Sequence, residues 1–412
     1  MNQPPPINPS VKSSVNSETA ATDKSGSENV AYCDAIFAKA FQAGASDIHF
    51  EPFEQAYRVR MRVDGALSQI AAGPAADYPQ LSSRVKILSE LDIAERRRPQ
   101  EGRLRLSIEN RAVDYRVSSV PTRFGEKIVL RVVDATGLKA DLTKLGMTSR
   151  EAQLMNKATS RPDGMILVTG PTGSGKTTTL YSALNQLNRM DRNVSTIEDP
   201  VEFNVFGITQ INVRRDLEMD FPQVLRLLLR QDPDVILVGE IRDTETAKTS
   251  FQAALTGHMV LSTLHTNDTA SAVARLRDMD VEPFLINAAL NLIIAQRLVK
   301  RICQHCRTPV KVSAAQLKAL GISEEQAAKA TFCRGQGCTK CNGTGMRGRI
   351  AIFEMLDMTD EIRNLIFENG SVEAIKRQAV KDGMRTLRIS ALSKAFQGVI
   401  TLEQASLFAS RE

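Results

Sequence analysis

The chain has 412 residues, enough for two or three domains at about 150 residues each. Its 42% hydrophobic and 24% charged residues exclude a largely disordered chain, a collagen-like one and a small disulfide scaffold. The 53 Lys+Arg against 47 Asp+Glu leave a formal charge of +6, too weak a bias to point to nucleic acid or a membrane surface.

Residues 1–28 are rich in Pro, Ser, Asn, Thr and Lys, lack an apolar period and are expected to form a disordered tail. From Val30 to Ala43 apolar residues recur at helical spacing, with Gly44 as a stop. Six short alternating runs follow, at 48–51, 57–63, 67–70, 104–108, 112–118 and 127–132, interrupted by a helical stretch at 78–91. This is the profile of a small α+β domain over 29–133, with 134–144 as a linker. Residues 145–300 then change character. Apolar strands at 165–169, 194–197, 235–238 and 259–262 alternate with helical segments, which predicts a parallel sheet covered on both faces. The apolar stretch from Phe284 to Val299 is broken by Asn287, Asn291, Gln296 and Arg297. It reads as a buried helix, not a membrane span. A cysteine-rich element at 301–345 and a helical region at 346–412 complete the chain. With no basic and apolar leader in the sequence, the protein is expected in the cytoplasm.

The strand at 165–169 runs into Gly170-Pro171-Thr172-Gly173-Ser174-Gly175-Lys176-Thr177-Thr178 and then a helix, the context a P-loop requires. Its glycines let backbone N–H groups close around phosphate, Lys176 can reach the β- and γ-phosphates, and the Thr177 hydroxyl can ligate Mg²⁺. ATP and Mg²⁺ are therefore the expected ligands. The strand at 235–238 ends in Gly239-Glu240, which places an acid beside the P-loop for the Mg²⁺ shell or the attacking water. Glu198, Asp199 and Glu202 follow the strand at 194–197 and should face the same cleft, because ligands of open α/β sheets lie at strand carboxyl ends. Glu202 is the candidate for polarising water; Glu198 and Asp199 have the alternative of pairing with Arg242 or capping a helix. His258 and His265 bracket the next strand, and His265 is the candidate to report the γ-phosphate.

Five of the six cysteines fall between residues 303 and 341. Cys303, Cys306, Cys338 and Cys341 form two CxxC pairs, the donor set of a closed, structural Zn²⁺ site. His305 and Cys333 are alternative ligands, and Cys33 lies in an apolar helical pattern as a small buried residue.

In this order the P-loop, the acidic box at 198–202, the strand ending in Glu240 and the histidine box at 258–265 resemble the ATPases of type II secretion and type IV pilus assembly. The resemblance extends through Ser46–Pro52, Arg62–Gly65, Arg98–Arg103 and Gly125–Lys127, covering about residues 30 to 405. It implies an α/β fold: a RecA-like P-loop NTPase motor domain after a small α+β, PAS-like N-terminal domain, with a zinc-binding insert and C-terminal helices. It implies a homohexamer, peripheral on the cytoplasmic face of the inner membrane, working on a membrane platform or docking protein. Arginines of the N-terminal domain are expected at the phosphates; by position these are Arg103, Arg116 and Arg131, with Arg58 and Arg62 as further candidates. Larger members carry an additional N-terminal docking domain, a role expected here of the tail or of the 30–133 domain. Assembly and secretion members carry the tetracysteine element and typical retraction ATPases lack it, although Ile362–Ile366 resembles a retraction-type motif. A RecA-like nucleic-acid motor is the alternative from another class. The scarcity of aromatics and the lack of a long basic stripe count against it, so no nucleic acid is expected as partner.

Overall fold

The alternating stretches of the first third of the chain pair into one antiparallel sheet. The computed structural model describes residues 24–133 and 142–408; the rest of the expected tail (1–23) and of the linker (134–141) lies outside the described residues. The chain divides into two compact units, one ending at Asp134 and the other beginning at Ala135.

In the N-terminal unit, helix α1 (Lys24–Gln42) precedes strands β1 (Asp47–Pro52), β2 (Ala56–Val63) and β3 (Ala66–Pro74). Helix α2 (Tyr78–Leu88) is followed by β4 (Gln100–Ile108), β5 (Arg111–Thr122) and β6 (Gly125–Val133). The strands order as β3-β2-β1-β6-β5-β4. Period-2 patterning puts Ile48, Phe50, Val59, Tyr115, Val117, Ile128 and Leu130 on one face, buried with Ile36, Phe37, Leu81 and Val85 of the two helices. The opposite face is charged. Acidic β1 (Asp47, Glu51) lies between basic β2 (Arg58, Arg60) and basic β6 (Lys127, Arg131), so cross-strand pairs are of opposite sign. Arg58 Nε and Arg60 Nη2 each lie 2.7 Å from a Glu51 oxygen, and Arg131 Nε lies 2.9 Å from Asp47.

Burial opposes ionisation of Glu51, but the bonds from Arg60 and Arg58 outweigh it and bring the carboxyl from 4.5 down to about 2. A carboxyl depressed in the folded state contributes stability above its unfolded value and loses it as pH falls through the folded one. Denaturant unfolding of the full chain should therefore show acid destabilisation between about 4.5 and about 2, and Glu51→Gln should flatten that limb. An unchanged acid limb in the variant would remove Glu51 from the account.

The second unit opens with α3 (Ser149–Thr159), β7 (Gly164–Thr169), α4 (Lys176–Leu187), β8 (Val194–Glu198) and β9 (Thr209–Asn212). It continues with α5 (Phe221–Leu228), β10 (Val235–Val238), α6 (Thr244–Leu255), β11 (Met259–Leu264), α7 (Thr269–Asp278), α8 (Pro283–Ala289) and β12 (Leu290–Ile302). Then come β13 (Arg307–Pro309), α9 (Ala314–Ala319), α10 (Glu324–Ala328), β14 (Cys333–Gly335) and β15 (Met346–Asp357). Helices α11 (Asp360–Phe367), α12 (Val372–Lys381), α13 (Leu387–Phe396) and α14 (Leu402–Ser406) close it. The seven-stranded sheet orders as β15-β12-β7-β11-β10-β8-β9, parallel except for β15. Met165 and Leu167 of β7 face one core while Ile166 and Val168 face the other, so the strand from 165 to 168 is apolar and buried on both faces.

Two expectations change. The stretch expected as one buried helix is α8 followed by strand β12, and the first part of the expected helical region, 346–357, is strand β15. A central strand buried on both faces loses the period-2 alternation, so its apolar run cannot be told from a buried helix by pattern. The four polar interruptions each have a partner across an element boundary. Asn287 Nδ2 donates to Arg363 O at 2.7 Å and Asn291 Nδ2 to Asp163 O at 2.8 Å. Gln296 and Arg297 bond at the P-loop. The segment Ile362–Ile366, which resembles a retraction-type motif, lies in α11, with Ile362 and Ile366 buried in the core. No helix among the described residues is long and apolar enough to cross a membrane.

Candidate active site and metal centre

The carboxyl ends of β7, β11, β10 and β8 lie side by side on one edge of the sheet, and each carries part of the site. At the end of β7, Gly170, Gly173 and Gly175 take φ values of 151°, 77° and 89°, which side chains disfavour. The loop closes into α4, whose first residue is Lys176, so the positive end of that helix faces the loop. Lys176 Nζ donates to Gly170 O at 2.8 Å and to Pro171 O at 3.3 Å. Ser174 Oγ is buried within the loop and makes no bond inside the protein, which suits a loop built around an external acceptor. Thr177 and Thr178 occupy the first turn of α4, half-buried.

Glu240 follows β10 and pairs with Arg242 Nε on one side and with His265 Nε2, at 3.5 Å, on the other. Burial holds Lys176 below its usual range, with the Glu240 charge pulling it back up and Arg297 adding to the depression. Burial also lowers His265, helped by Lys176 and opposed by Glu240, so the imidazole is neutral near pH 7. Lys176, Glu240 and His265 thus share one electrostatic pocket. The loops that carry the last two are fixed by helix caps: Asp243 accepts from Thr246 N at 2.8 Å and Asp268 from Ser271 N at 2.7 Å.

The acidic box divides. Glu198 is buried and accepts from Tyr181 Oη at 2.7 Å and Thr196 Oγ1 at 2.6 Å; burial raises its pKa despite these bonds. It is a structural acid under the sheet edge. Asp199 forms its ion pair with Arg215 at 3.2 Å and acts on Arg242 through its charge, while the ion pair of Arg242 goes to Glu240. Glu202 lies half-buried on the β8–β9 connection, held by the bond from Val201 N to Asn212 Oδ1 at 2.7 Å. His258 precedes β11, at the opposite end of a six-residue strand from His265, and bonds Ala253 O through Nδ1 at 2.9 Å. The arginine candidates sit on the charged face of the N-terminal sheet: Arg103 is registered with Arg116, Arg116 with Arg131, and Arg131 with Asp47. These three form one row across β4, β5 and β6, which Asp47 continues on β1.

Gln296 and Arg297 were legible only as polar breaks in an apolar run. Thr179 Oγ1 donates to Gln296 Oε1 at 2.7 Å, and Arg297 Nη2 donates to Asn267 O at 2.7 Å. Buried Glu354 of β15 was not singled out either. It accepts from Thr269 N at 3.0 Å and Leu387 N at 3.3 Å, joining the first turns of α7 and α13.

Cys303, Cys306, Cys338 and Cys341 converge, all Sγ atoms lying within 4.8 Å of one another. The Cys303–Cys338, Cys306–Cys341 and Cys338–Cys341 separations are 3.9, 3.8 and 3.7 Å. Four sulfurs about 2.3 Å from a tetrahedral centre lie about 3.8 Å apart, so the thiols fit such a metal. Burial would raise the Cys341 thiol, but N–H groups of Cys338 and Gly345, each 3.2 Å from its sulfur, bring it down and favour thiolate. Cys333 lies outside the cluster, against Arg307 Nε at 3.3 Å.

A parallel sheet with a glycine loop leading into a helix, a lysine in its first turn and an acid on a neighbouring strand end defines a P-loop nucleotide-binding protein. The family model for type II/IV secretion system proteins matches residues 22–407. Curated relatives include the type IV pilus assembly ATPase PilB of Myxococcus xanthus, 47% identical over 371 residues, which are 90% of this chain and 66% of the relative. The type II secretion system ATPase E of Vibrio cholerae is 45% identical over 371 residues, covering 90% of this chain and 73% of the relative. Among solved structures, the pilus retraction motor PilT with bound ADP matches with a TM-score of 0.63 and 28% identity, over 92% of this chain and 96% of that one. The ATPase DotB of Legionella pneumophila, at 22% identity and TM-score 0.69 over 92% of this chain and 96% of that one, shares the fold. The chain belongs to the family of type II/IV secretion system proteins. It spans about two thirds of the length of the first of these relatives.

Proposed function

We propose that this protein is the ATP-hydrolysing motor of a type II secretion or type IV pilus assembly system. The observation that carries the reading is the convergence of Lys176, Glu240 and His265 on the P-loop edge of the parallel sheet. The similarity to pilus assembly and secretion ATPases supports it.

In this reading the second unit is a RecA-like motor lobe and the N-terminal α+β unit a PAS-like lobe. Residues 170–178 cradle the triphosphate, whose oxygens replace the Gly170 and Pro171 carbonyls as partners of Lys176. Thr177 and the Glu240 carboxylate are the oxygen donors that would hold Mg²⁺, which neutralises phosphate charge when bound. Glu240, or Glu202 from the β8–β9 connection, orients water for attack on the γ-phosphate. Neutral His265, bonded to Glu240, reads the presence of that phosphate. Arg103, Arg116 and Arg131 supply guanidinium charge to the phosphates in an assembled homohexamer. The ring acts on a membrane platform or docking protein, from the cytoplasmic face of the inner membrane. In a mutant lacking the protein, loss of pilus assembly or secretion with retraction intact is the expected phenotype. DNA-stimulated turnover with steep salt dependence would replace this reading with a nucleic-acid motor.

The four thiols take Zn²⁺, and the closed sulfur set makes the metal structural. Purified protein should contain about one zinc per chain, and Cys303→Ser with Cys338→Ser should lose it and expose 303–345 to proteolysis. Metal-free wild-type protein with a protease-resistant insert would show that the thiols work without metal. The tetracysteine element also favours the assembly and secretion branch over retraction.

A further inference from the structure

Strand β12 runs parallel to the P-loop strand, with Ala295 registered against Thr169. The next residue, Gln296, therefore stands beside the loop where β7 has ended. It is 2% exposed and Thr179 is fully buried, so their 2.7 Å bond is shielded from water. The same residue abuts both ends of the loop. A Cβ on Gly170 would come within 2.5 Å of the Gln296 carbonyl oxygen, and a Cβ on Gly175 within 2.8 Å of its Nε2. One residue thus meets the first glycine of the loop, the glycine before Lys176, and the first turn of α4.

A glycine loop is the most mobile kind of backbone, and its phosphate-binding N–H groups converge only in one of its many conformations. A loop held in that conformation before binding does not lose the entropy of ordering when nucleotide arrives. We infer that Gln296 is a positioning residue of the nucleotide site: through Thr179 and the Gly170 and Gly175 backbone it keeps the P-loop in its phosphate-ready form. The inference rests on the P-loop being the nucleotide site. Gln296 acts on the nucleotide through the loop.

The test uses the full chain with Gln296→Met and Thr179→Val, both close in volume to the native residues. The readouts are fluorescent ADP binding and the rise in Tm on adding ADP. Gln296→Met should weaken ADP binding about tenfold, the effect of an unmade buried hydrogen bond, and shrink the ADP-induced rise in Tm. A purely structural role would lower Tm equally with and without ADP and leave that rise unchanged. Thr179→Val should reproduce part of the loss, and the double variant should fall short of the sum. Wild-type ADP affinity in Gln296→Met, or strictly additive effects, would overturn the inference. Should Gln296→Met fail to fold, Thr179→Val carries the test alone, with wild-type affinity as the overturning result. Wild-type protein binding no ADP, or Lys176→Ala binding it normally, would instead sink the nucleotide-site reading itself.

Discussion

Lys176→Ala should abolish ATP turnover, by at least about 100-fold, while leaving the second unit folded. The lysine leads α4 and its ammonium is spent on two loop carbonyls, at 2.8 and 3.3 Å. None of the apolar clusters that build the unit includes it. Its removal therefore leaves the packing of β7 against α4 intact. What is lost is a positive charge in a pocket that also holds Glu240. Triphosphate brings several negative charges beside that carboxylate, and without Lys176 the repulsion is uncompensated. Nucleotide affinity and chemistry should both suffer, and Lys176→Arg should not rescue, because the planar guanidinium does not fit a site shaped for a compact ammonium. Circular dichroism and thermal unfolding would verify the fold, and a steady-state phosphate-release assay would read the turnover. Turnover within about threefold of wild type would move the site away from the P-loop.

The parts of this site that were legible in the sequence are those whose chemistry depends on short-range spacing. The glycines of 170–175 need positive φ, and Lys176 must begin a helix, so loop and flanks announce themselves together. Each of the four strands ending at the site is short and buried, and a polar or charged residue closes it or follows within two positions, so Glu240 and His265 could be placed at strand ends from the pattern. The two CxxC pairs are legible for the same reason, each bringing two thiols to one point through a single turn. Illegible were contacts that depend on which strands are neighbours. Gln296 lies 117 residues beyond its partner Thr179 and meets it only because β12 is inserted next to β7. Glu354 serves two helices for a similar reason, from a strand expected to be helical. Glu198 shares the acidic box with Glu202, and its burial against Tyr181, which the sequence does not show, sets it apart. In the N-terminal unit Gly125-Glu126-Lys127 could be matched but not explained. Glu126 is the buried partner of Lys86, at 2.8 Å, and Lys86 also holds the Glu95 carbonyl, at 2.7 Å. This fixes the loop before β4, where Arg96, Arg97 and Arg98 are exposed.

Glu240→Gln should separate binding from hydrolysis. The substitution keeps the side chain's shape and its ability to accept from Arg242, but removes the charge that orients water and would serve Mg²⁺. ATP affinity should stay within about threefold of wild type, or rise, since one negative charge leaves a pocket that receives triphosphate. Hydrolysis should fall by about 100-fold or more, as when a preorganised charge is taken from a phosphoryl-transfer site. The variant should therefore trap ATP. His265 offers a second readout in the same protein, because Glu240 raises its pKa while burial and Lys176 lower it. In Glu240→Gln the imidazole should titrate at still lower pH, visible by NMR of the histidine ring protons. Glu202→Gln, measured alongside, decides the division of labour. If Glu202→Gln stops hydrolysis and Glu240→Gln does not, the water-orienting carboxylate is the one on the β8–β9 connection. In that case Glu240 is left with the metal and with His265. If only Glu240→Gln stops hydrolysis, the acid that β10 delivers beside Lys176 performs both tasks, and Glu202 belongs with Glu198 as part of the edge on which the site is built.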